Sequence, residues 1–426
     1  MGFDYMSKVE SHDAMRERAL APLAPLFARP QDPRSYLVEL PVAESDAPHS
    51  GWLRLSIPDW AKWVLPKNLD TFFLPKFGKH ESYLEYPWWR AVDFYIGMEL
   101  ERAWEQEHGP IHSYSRALGK DVSLAFDFAW VNRICAFLKA WSAHRTGMEV
   151  REMFGDLQMP KISLTHDVDA VEMTITLKVK QSVSRALSGQ LWTALRILAA
   201  PRGTKFLKVL LELEESFGFL SLWLVYAKPS RGEGHQRHPL DPDYSLKNEL
   251  VTWLAGELEA RGHAIGLHSS FKSWRDSSAL ARERISLAQL TNTVPRHVRQ
   301  HWLRFHTGTT WQAQSAAGFT TDYTLGFNDR PGFRTSSALP LVTRTGEITA
   351  IPTIVMDSNL FGPKFQSKES RRAVVDQLLD EVEHFGGHVA INWHPHTIGS
   401  AYGWAETYSY LLGAISRRRI DVVGEW

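Results

Sequence analysis

The sequence predicts an α/β protein in which a parallel sheet, open or closed into a barrel, follows a smaller α+β module. From Lys161 onward, strand-like apolar runs alternate with helical patterns, which is typical of parallel sheets. The runs occupy residues 161–168, 219–227, 263–268, 297–304, 319–325, 349–356, 388–393 and 420–424. Between two of these runs, apolar residues recur on one helical face over 246–258 and a glycine, Gly262, follows, as expected for a helix that packs on a sheet.

The first 155 residues lack this regular alternation. Four prolines, at positions 22, 25, 30 and 33, interrupt the early part, and helical patterns follow at 88–106 and 125–146. The segment Gly155–Pro160 has the composition of a junction. We therefore predict two domains: an N-terminal α+β module of unknown role over residues 1–155, and the alternating domain over 156–426.

The composition excludes several classes of function. The chain has 48 Lys or Arg and 48 Asp or Glu residues, so no net field attracts nucleic acid, and we expect no nucleic-acid partner. Cys135 is the only cysteine, which excludes an internal disulfide and a multi-thiolate metal site. Residues 1–21 contain no apolar segment of the secretory type, and no apolar run is long enough to span a bilayer. A cytoplasmic location is the expectation.

Two carboxylates stand at the end of the first predicted strand of the alternating domain, in the sequence Leu164-Thr-His-Asp-Val-Asp169. Because side chains alternate along a strand, Asp167 and Asp169 are expected on the same side. Two such carboxylates repel each other unless a positive charge lies beside them, and a divalent metal would supply one. The alternative is a turn in which an aspartate caps the next helix.

Later strand ends carry further polar side chains. His268 ends one predicted strand, Arg299 and His301 share a face of the next, and Asp322 follows in a third. His394 and His396 come after the strand at 388–393. In a sheet of parallel strands these ends meet at one edge, where active sites are built. Aspartate and histidine with an open position are the ligands of a catalytic metal site, whereas any one of these histidines alone is more often structural.

Five motifs in this order resemble a known family. They are THDVD, GHAIGLHSS, RQHWLR, AGFTTDYTLGF followed by GFR, and NWHPH. This set is similar to the polysaccharide deacetylases with the NodB-homology fold, carbohydrate esterase family 4 and its relatives, over about residues 160–426. The resemblance implies an irregular (β/α) barrel. The segment Trp88–Tyr95 resembles the module that precedes this barrel in a divergent branch.

The resemblance also implies residue roles. Asp167 matches the catalytic base, Asp169 and His268 match metal ligands, and His394 matches the general acid, while Arg299 and Asp322 match residues that hold the catalytic groups. The family's second metal histidine would fall at position 272, which is Lys272. His301 is the first candidate for the missing ligand, ahead of His396 and His166. One divalent ion, most simply zinc, is the implied cofactor.

The implied reaction is removal of an N-acetyl group from a saccharide, such as a nucleotide-linked or lipid-linked precursor of a surface polysaccharide. Seven Lys or Arg residues and no Asp or Glu lie between Met173 and Leu211, so this segment could meet phosphate groups or anionic lipid; the alternative is a solvated helical insertion. Two other functions stay open: a metal-free glycan-binding protein, favoured by Lys272, and a metal hydrolase acting on an O-acetyl ester, a formamide or another amide.

Overall fold

The computed structural model describes residues 40–424, except 81, 188, 201–202, 228–237, 344–346, 363 and 366. The early prolines and Arg202, one of the seven basic residues of the 173–211 segment, lie outside the described residues. Within the described residues, no helix combines the length and the apolar character needed to cross a membrane.

A parallel sheet dominates the structure. The described residues form strands β1 His49–Leu55, β2 Phe72–Phe77, β3 Lys161–Val168, β4 Leu222–Tyr226, β5 Ala264–His268, β6 His297–Arg299, β7 Thr321–Asp322, β8 Leu341–Val342, β9 Thr349–Ala350, β10 Thr353–Met356, β11 His388–Asn392 and β12 Asp421–Val422. The main sheet runs β10-β11-β3-β4-β5-β6-β7-β9-β8, and β12 pairs with β3. Its described pairings are parallel except for β8 with β9.

Helices connect most of these strands. The described helices are α1 Trp88–Ile96, α2 Glu99–His108, α3 Trp130–Thr146, α4 Val150–Phe154, α5 Ile175–Leu187, α6 Leu191–Ala199, α7 Lys205–Glu215, α8 Glu249–Ala260, α9 Ser277–Thr291, α10 Thr310–Ala316, α11 Asp357–Leu360, α12 Lys368–Phe385 and α13 Ala405–Arg418. The predicted fold class, an irregular (β/α) barrel with a smaller module before it, is confirmed. Some predicted strands are too long: 297–304 pairs only as far as Arg299 and then turns at His301, and 319–325 pairs only over Thr321–Asp322.

The two faces of the curled sheet have separate cores, as the strand period of two requires. On β4, Leu222 and Leu224 face a small inner core, whereas Trp223 and Val225 belong to the large core between the sheet and its helices. The inner space is tight at Gly266, where a Cβ would lie 2.8 Å from Leu224 Cδ2 and 2.9 Å from the His297 carbonyl oxygen. Because the interior of the sheet is apolar and tightly packed here, the polar site residues lie at the ends of the strands.

The described part of the N-terminal module has an aromatic core of its own, which three residues from beyond position 155 join. Buried ion pairs connect the module to the barrel: Arg133 on α3 pairs with Glu381 on α12, and Glu101 on α2 pairs with Arg334. The boundary predicted at 155/156 stays a prediction, and these contacts show how closely the two regions pack.

Replacing Arg133 by alanine is expected to lower the free energy of unfolding by about 3–5 kcal/mol, because Glu381 would keep a buried charge without its partner. Urea denaturation followed by circular dichroism measures the change. The control is Arg151→Ala, which breaks the exposed pair with Asp156 and should change stability little. Equal effects of the two substitutions would contradict the structural role of the buried pair.

Candidate metal centre and acid–base pair

The predicted site residues come together at the carboxyl edge of the sheet, with the exception of Asp322. Asp167 lies near the end of β3, His268 ends β5, Arg299 ends β6, and His394 follows β11. Parallel neighbours bring these ends into register, since Tyr226 pairs with His268 and His268 with Arg299. The site is therefore a direct product of the strand order.

Asp169, His268 and His301 form a candidate site for a divalent metal. Asp169 Oδ1 lies 3.3 Å from His268 Nε2 and 3.6 Å from His301 Nε2. The ligand atoms of an ion held tetrahedrally at about 2.1 Å lie about 3.4 Å apart, so these spacings fit such an ion. Asp169 Oδ1 and both ring nitrogens of His268 are buried without a hydrogen bond of normal geometry to any described residue. Buried polar atoms left this way need a partner, and a cation would provide it.

Electrostatics favour the ligand form of the carboxylate. Burial raises the pKa of Asp169, but the neighbouring imidazoles outweigh this effect and hold the pKa below its usual range. Burial lowers the pKa of His301, so its imidazole is neutral at pH 7. An ionised carboxylate and a neutral imidazole are the states in which these groups bind a metal.

His301 reaches the site through a tight turn instead of an extended strand. The backbone leaves β6 after Arg299 and forms a short 3₁₀ turn over His301–Leu303, with Trp302 at φ 59° and Leu303 at φ 46°. Asp241 Oδ1 lies 3.7 Å from His301 Nδ1, on the side of the ring away from Asp169. A carboxylate behind a metal-binding imidazole fixes its orientation.

Asp167 is an anion held by two donors. Arg299 Nη1 donates to Oδ1 at 2.8 Å, and Asn392 Nδ2 donates to Oδ2 at 2.8 Å. Burial raises the pKa of Asp167, but the charges of Arg299, His268 and His394 outweigh burial and keep it below its usual range. Each oxygen keeps a free lone pair, so the carboxylate can still accept a proton.

His394 is a cation held from behind by Asp357. Its Nδ1 lies 2.7 Å from Asp357 Oδ1, and its Nε2 lies 3.5 Å from Asp169 Oδ2 and 4.0 Å from Asp167 Oδ2. Asp357 Oδ2 also accepts bonds from the His394 amide and the Thr397 hydroxyl. Burial alone would lower the pKa of His394, but Asp357 and the two site aspartates raise it to about 10. A proton donor therefore faces the proton acceptor across the candidate metal site.

Asp322 is predicted to support the catalytic groups, and the structure gives it other partners. Its carboxylate accepts bonds from Trp311 Nε1 and Gln314 Nε2, both on α10, and from the Thr324 amide. Asp322 pairs with Val298, whose side chain is in the outer core, so Asp322 faces the packed helix, and the inner position falls to Tyr323. This expectation is corrected: Asp322 is bonded to α10 and not to the catalytic groups.

The weaker ligand candidates lie elsewhere. His166 is buried on the outer face of β3, between the Trp393 carbonyl oxygen and Glu214. His396 Nε2 lies 3.0 Å from Gln181 Nε2 on α5. Lys272, at the position of the family histidine, is exposed at the start of a 3₁₀ turn.

Three positions in the site were not predicted from the sequence: Asp241, Asp357 and Asn392. Asp357 and Asn392 stand at the carboxyl ends of β10 and β11, so the rule that places polar groups at strand ends could have found them. Asp241 lies in an irregular loop, and no periodic pattern marks it.

The N-terminal module supports the turn that carries His301. The Ser113 hydroxyl donates to the Leu303 carbonyl oxygen, and Glu105 Oε2 accepts from the Thr307 amide at 3.0 Å. From the barrel domain, Asn328 Nδ2 donates to the Trp302 carbonyl oxygen at 2.7 Å. These bonds satisfy backbone groups of a strained turn and fix its path.

No family model matches the chain, and no curated protein is significantly similar to it. Solved structures with a similar fold include a Mycobacterium smegmatis protein assigned as a polysaccharide deacetylase, 16% identical with a TM-score of 0.40 over 62% of this chain and 85% of its own. The chitin deacetylase of the fungal pathogen Colletotrichum lindemuthianum is 12% identical with a TM-score of 0.36 over 62% and 86%. A carbohydrate esterase family 4 pseudoenzyme from Bacillus anthracis is 10% identical with a TM-score of 0.31 over 62% and 63%. These proteins are of the class that the sequence motifs resemble.

Replacing His301 by alanine is expected to abolish binding of a divalent metal, and Asp241→Asn to weaken it by about 10–100-fold, because the imidazole loses its orienting carboxylate. Elemental analysis and zinc titration of the purified protein measure both effects. Asp243→Asn is the matched control. Asp243 lies two positions after Asp241 in the sequence, and its carboxylate accepts a hydrogen bond from the Thr174 hydroxyl instead of contacting His301. Full metal content in His301→Ala would show that another group completes the site.

Proposed function

We propose that this chain is a metal-dependent hydrolase that removes an N-acetyl group from a saccharide. One observation carries the proposal: Asp167 and His394 face the same candidate metal site and are held in opposite protonation states by separate partners. A base and an acid kept apart in this way are what amide hydrolysis needs at neutral pH.

The proposed chemistry begins with water. Asp169, His268 and His301 would hold a divalent ion, most simply zinc, which when bound would supply Lewis acidity toward an acyl oxygen and lower the pKa of water. Asp167 accepts a proton from the water molecule as its oxygen bonds to the acyl carbon. Arg299 and Asn392 keep this carboxylate in place throughout the transfer.

Protonated His394 completes the reaction. Its Nε2 proton passes to the amide nitrogen as the carbon–nitrogen bond breaks, so the products are acetate and a free amine. An amine leaves far more readily than its anion, which is why an acid is needed on this side. Asp357 keeps the imidazole ring oriented and stabilises its charged form before the transfer.

An aromatic face beside the metal site supports a sugar as the substrate. The Trp302 side chain is 45% exposed and follows the ligand His301 directly. Its backbone φ of 59° is unusual for a bulky residue, and such strain is commonly retained at functional sites. Sugar rings stack on flat indole faces, so Trp302 is a suitable platform for the ring that bears the acetamido group.

Within this class, we propose a precursor of a surface polysaccharide of the O-antigen or capsule type, in the cytoplasmic setting that the sequence predicts. The support is the basic segment 173–211, which comes near the site because Gln181 contacts His396, whose ring lies 5.7 Å from that of His394. Its Lys and Arg side chains suit the phosphate groups of a nucleotide-linked or lipid-linked sugar.

A second candidate function is saccharide binding without metal or turnover, which Lys272 favours because it replaces the family's ligand. A third keeps the metal and changes the bond to an O-acetyl ester, a formamide or another amide. Metal content separates the second candidate from the first. Substrate screening separates the third, since acetate release from an N-acetylated sugar is specific to the first.

Asp167→Ala is expected to lower acetate release from N-acetylated amino sugars by at least about 10²–10⁴-fold while the metal stays bound, because the substitution removes the base and leaves the ligands. A coupled acetate assay and elemental analysis are run on the same preparation. Asp59→Ala, which changes an exposed carboxylate of the N-terminal module, is the control. Loss of metal in Asp167→Ala would move Asp167 into the ligand set, and unchanged turnover would reject it as the base.

Asp357→Asn is expected to shift the basic limb of the pH–rate profile downward by about one pH unit or more, because loss of the paired charge lowers the pKa of His394. The acid works only while protonated, so activity would fall at a lower pH than in the wild type. The matched control is Asp376→Asn, which removes a carboxylate paired with Arg418 at the surface. If the basic limb does not move in Asp357→Asn, then His394 paired with Asp357 is not the group that sets this limb.

A further inference from the structure

The hairpin formed by α5 and α6 presents an apolar face to solvent. Eight of the nineteen large apolar side chains that are exposed among the described residues lie between 175 and 198. They are Ile175, Val179, Val183 and Leu187 on α5, at four-residue steps, and Leu191, Trp192, Leu195 and Leu198 on α6. Leu187 is 86% exposed and Trp192 is 81% exposed. An exposed patch of this kind marks an interaction surface.

Polar side chains, in contrast, attach the hairpin to the protein. Arg185 lies over the Trp404 ring at 4.6 Å, Gln190 Nε2 donates to the Phe361 carbonyl oxygen, and Arg196 Nη2 donates to the Ser400 carbonyl oxygen. A surface helix of a globular protein usually packs its apolar side inward. Here Ile197 and Ala194 pack inward together with these polar groups, while the eight large apolar side chains named above face out.

The positive charge of segment 173–211 indicates what kind of surface binds this apolar face. No Asp or Glu occurs between Met173 and Leu211, and six Lys or Arg residues of this segment lie within the described part of the chain. Lys180, Arg196, Lys205 and Lys208 among them are exposed. Exposed leucine and tryptophan beside cationic side chains is the pattern of helices that lie in the interface of an anionic bilayer.

A second copy of the chain fits this surface less well. In a symmetric dimer the same patch meets itself, so two cationic hairpins would face each other without a carboxylate of the segment between them. Like charges brought together across an interface oppose association. An anionic lipid surface has the complementary charge.

We propose that the α5–α6 hairpin lays its apolar face on an anionic lipid bilayer. Binding is reversible and peripheral, and Trp192, Leu187 and Leu191 enter the headgroup region. Because Gln181 on α5 contacts His396, two residues from His394, the bilayer would lie close to the candidate site. If the proposed deacetylase function holds, this geometry favours a saccharide carried on a lipid.

Co-sedimentation with vesicles of equal parts phosphatidylcholine and phosphatidylglycerol tests the proposal, and the readout needs no substrate. The wild-type protein is expected to pellet at low salt, less so at high salt or with phosphatidylcholine alone. Trp192→Glu should lower the partition coefficient by about tenfold or more, because it replaces an indole that enters the headgroup region by a charge. Leu187→Ser is a milder second variant on the same face.

Trp63→Glu is the matched control, because Trp63 is 56% exposed on the N-terminal module, away from the hairpin. It should pellet like the wild type, and circular dichroism checks that all variants are folded. Wild-type protein that stays in solution at low salt would overturn the proposal, as would equal pelleting of Trp192→Glu. A dimer that Trp192→Glu converts to a monomer, with no vesicle binding, would assign the face to a second copy. Failure of the deacetylase assay leaves these outcomes unaffected.

Discussion

The guanidinium of Arg299, buried inside the curled sheet, is the constraint on which the site depends. It donates to Asp167 and Thr165 on β3, to Thr353 on β10 and to the Tyr323 carbonyl oxygen after β7. Since β6 and β10 are not neighbours in the sheet, these bonds cross its interior and tie together strands that backbone pairing does not join. Burying a lone charge costs several kcal/mol, and the carboxylate of Asp167 together with these hydrogen bonds offsets that cost.

Buried counterions also keep the two proton-transfer groups, Asp167 and His394, in different protonation states. Arg299 stabilises the anionic form of Asp167, and Asp357 stabilises the cationic form of His394, so each group has its own counterion on the side away from the cleft. Asp167 and His394 also stabilise each other's charged form, because Asp167 Oδ2 lies 4.0 Å from His394 Nε2. The outer partners and this mutual attraction therefore favour the same pair of protonation states.

Much of this arrangement could be predicted from the sequence, because strands impose a period. The period of two places Asp167 inward and His166 outward on β3, and it places His268 at the end of β5. The same period also places Asp322 outward, toward α10, because Asp322 pairs with Val298 of the outer core and Tyr323 takes the inner position. The position of Asp241 depends on an irregular loop, so no local pattern specifies it. For the α5–α6 hairpin, the charges are visible in the sequence, but which side faces outward depends on contacts with residues around Trp404.

The support of the His301 turn by Ser113 and Glu105 has a consequence for how the molecule can be divided. A fragment that begins at Lys161 would contain every residue proposed to bind metal or move a proton. It would nevertheless lack Ser113 and Glu105, which form hydrogen bonds with the Leu303 carbonyl oxygen and the Thr307 amide. The strained turn that carries His301 would then have no such hydrogen bonds to hold it. The residues proposed to bind metal and to move protons therefore depend on a backbone segment that Ser113 and Glu105 of the N-terminal module hold in place.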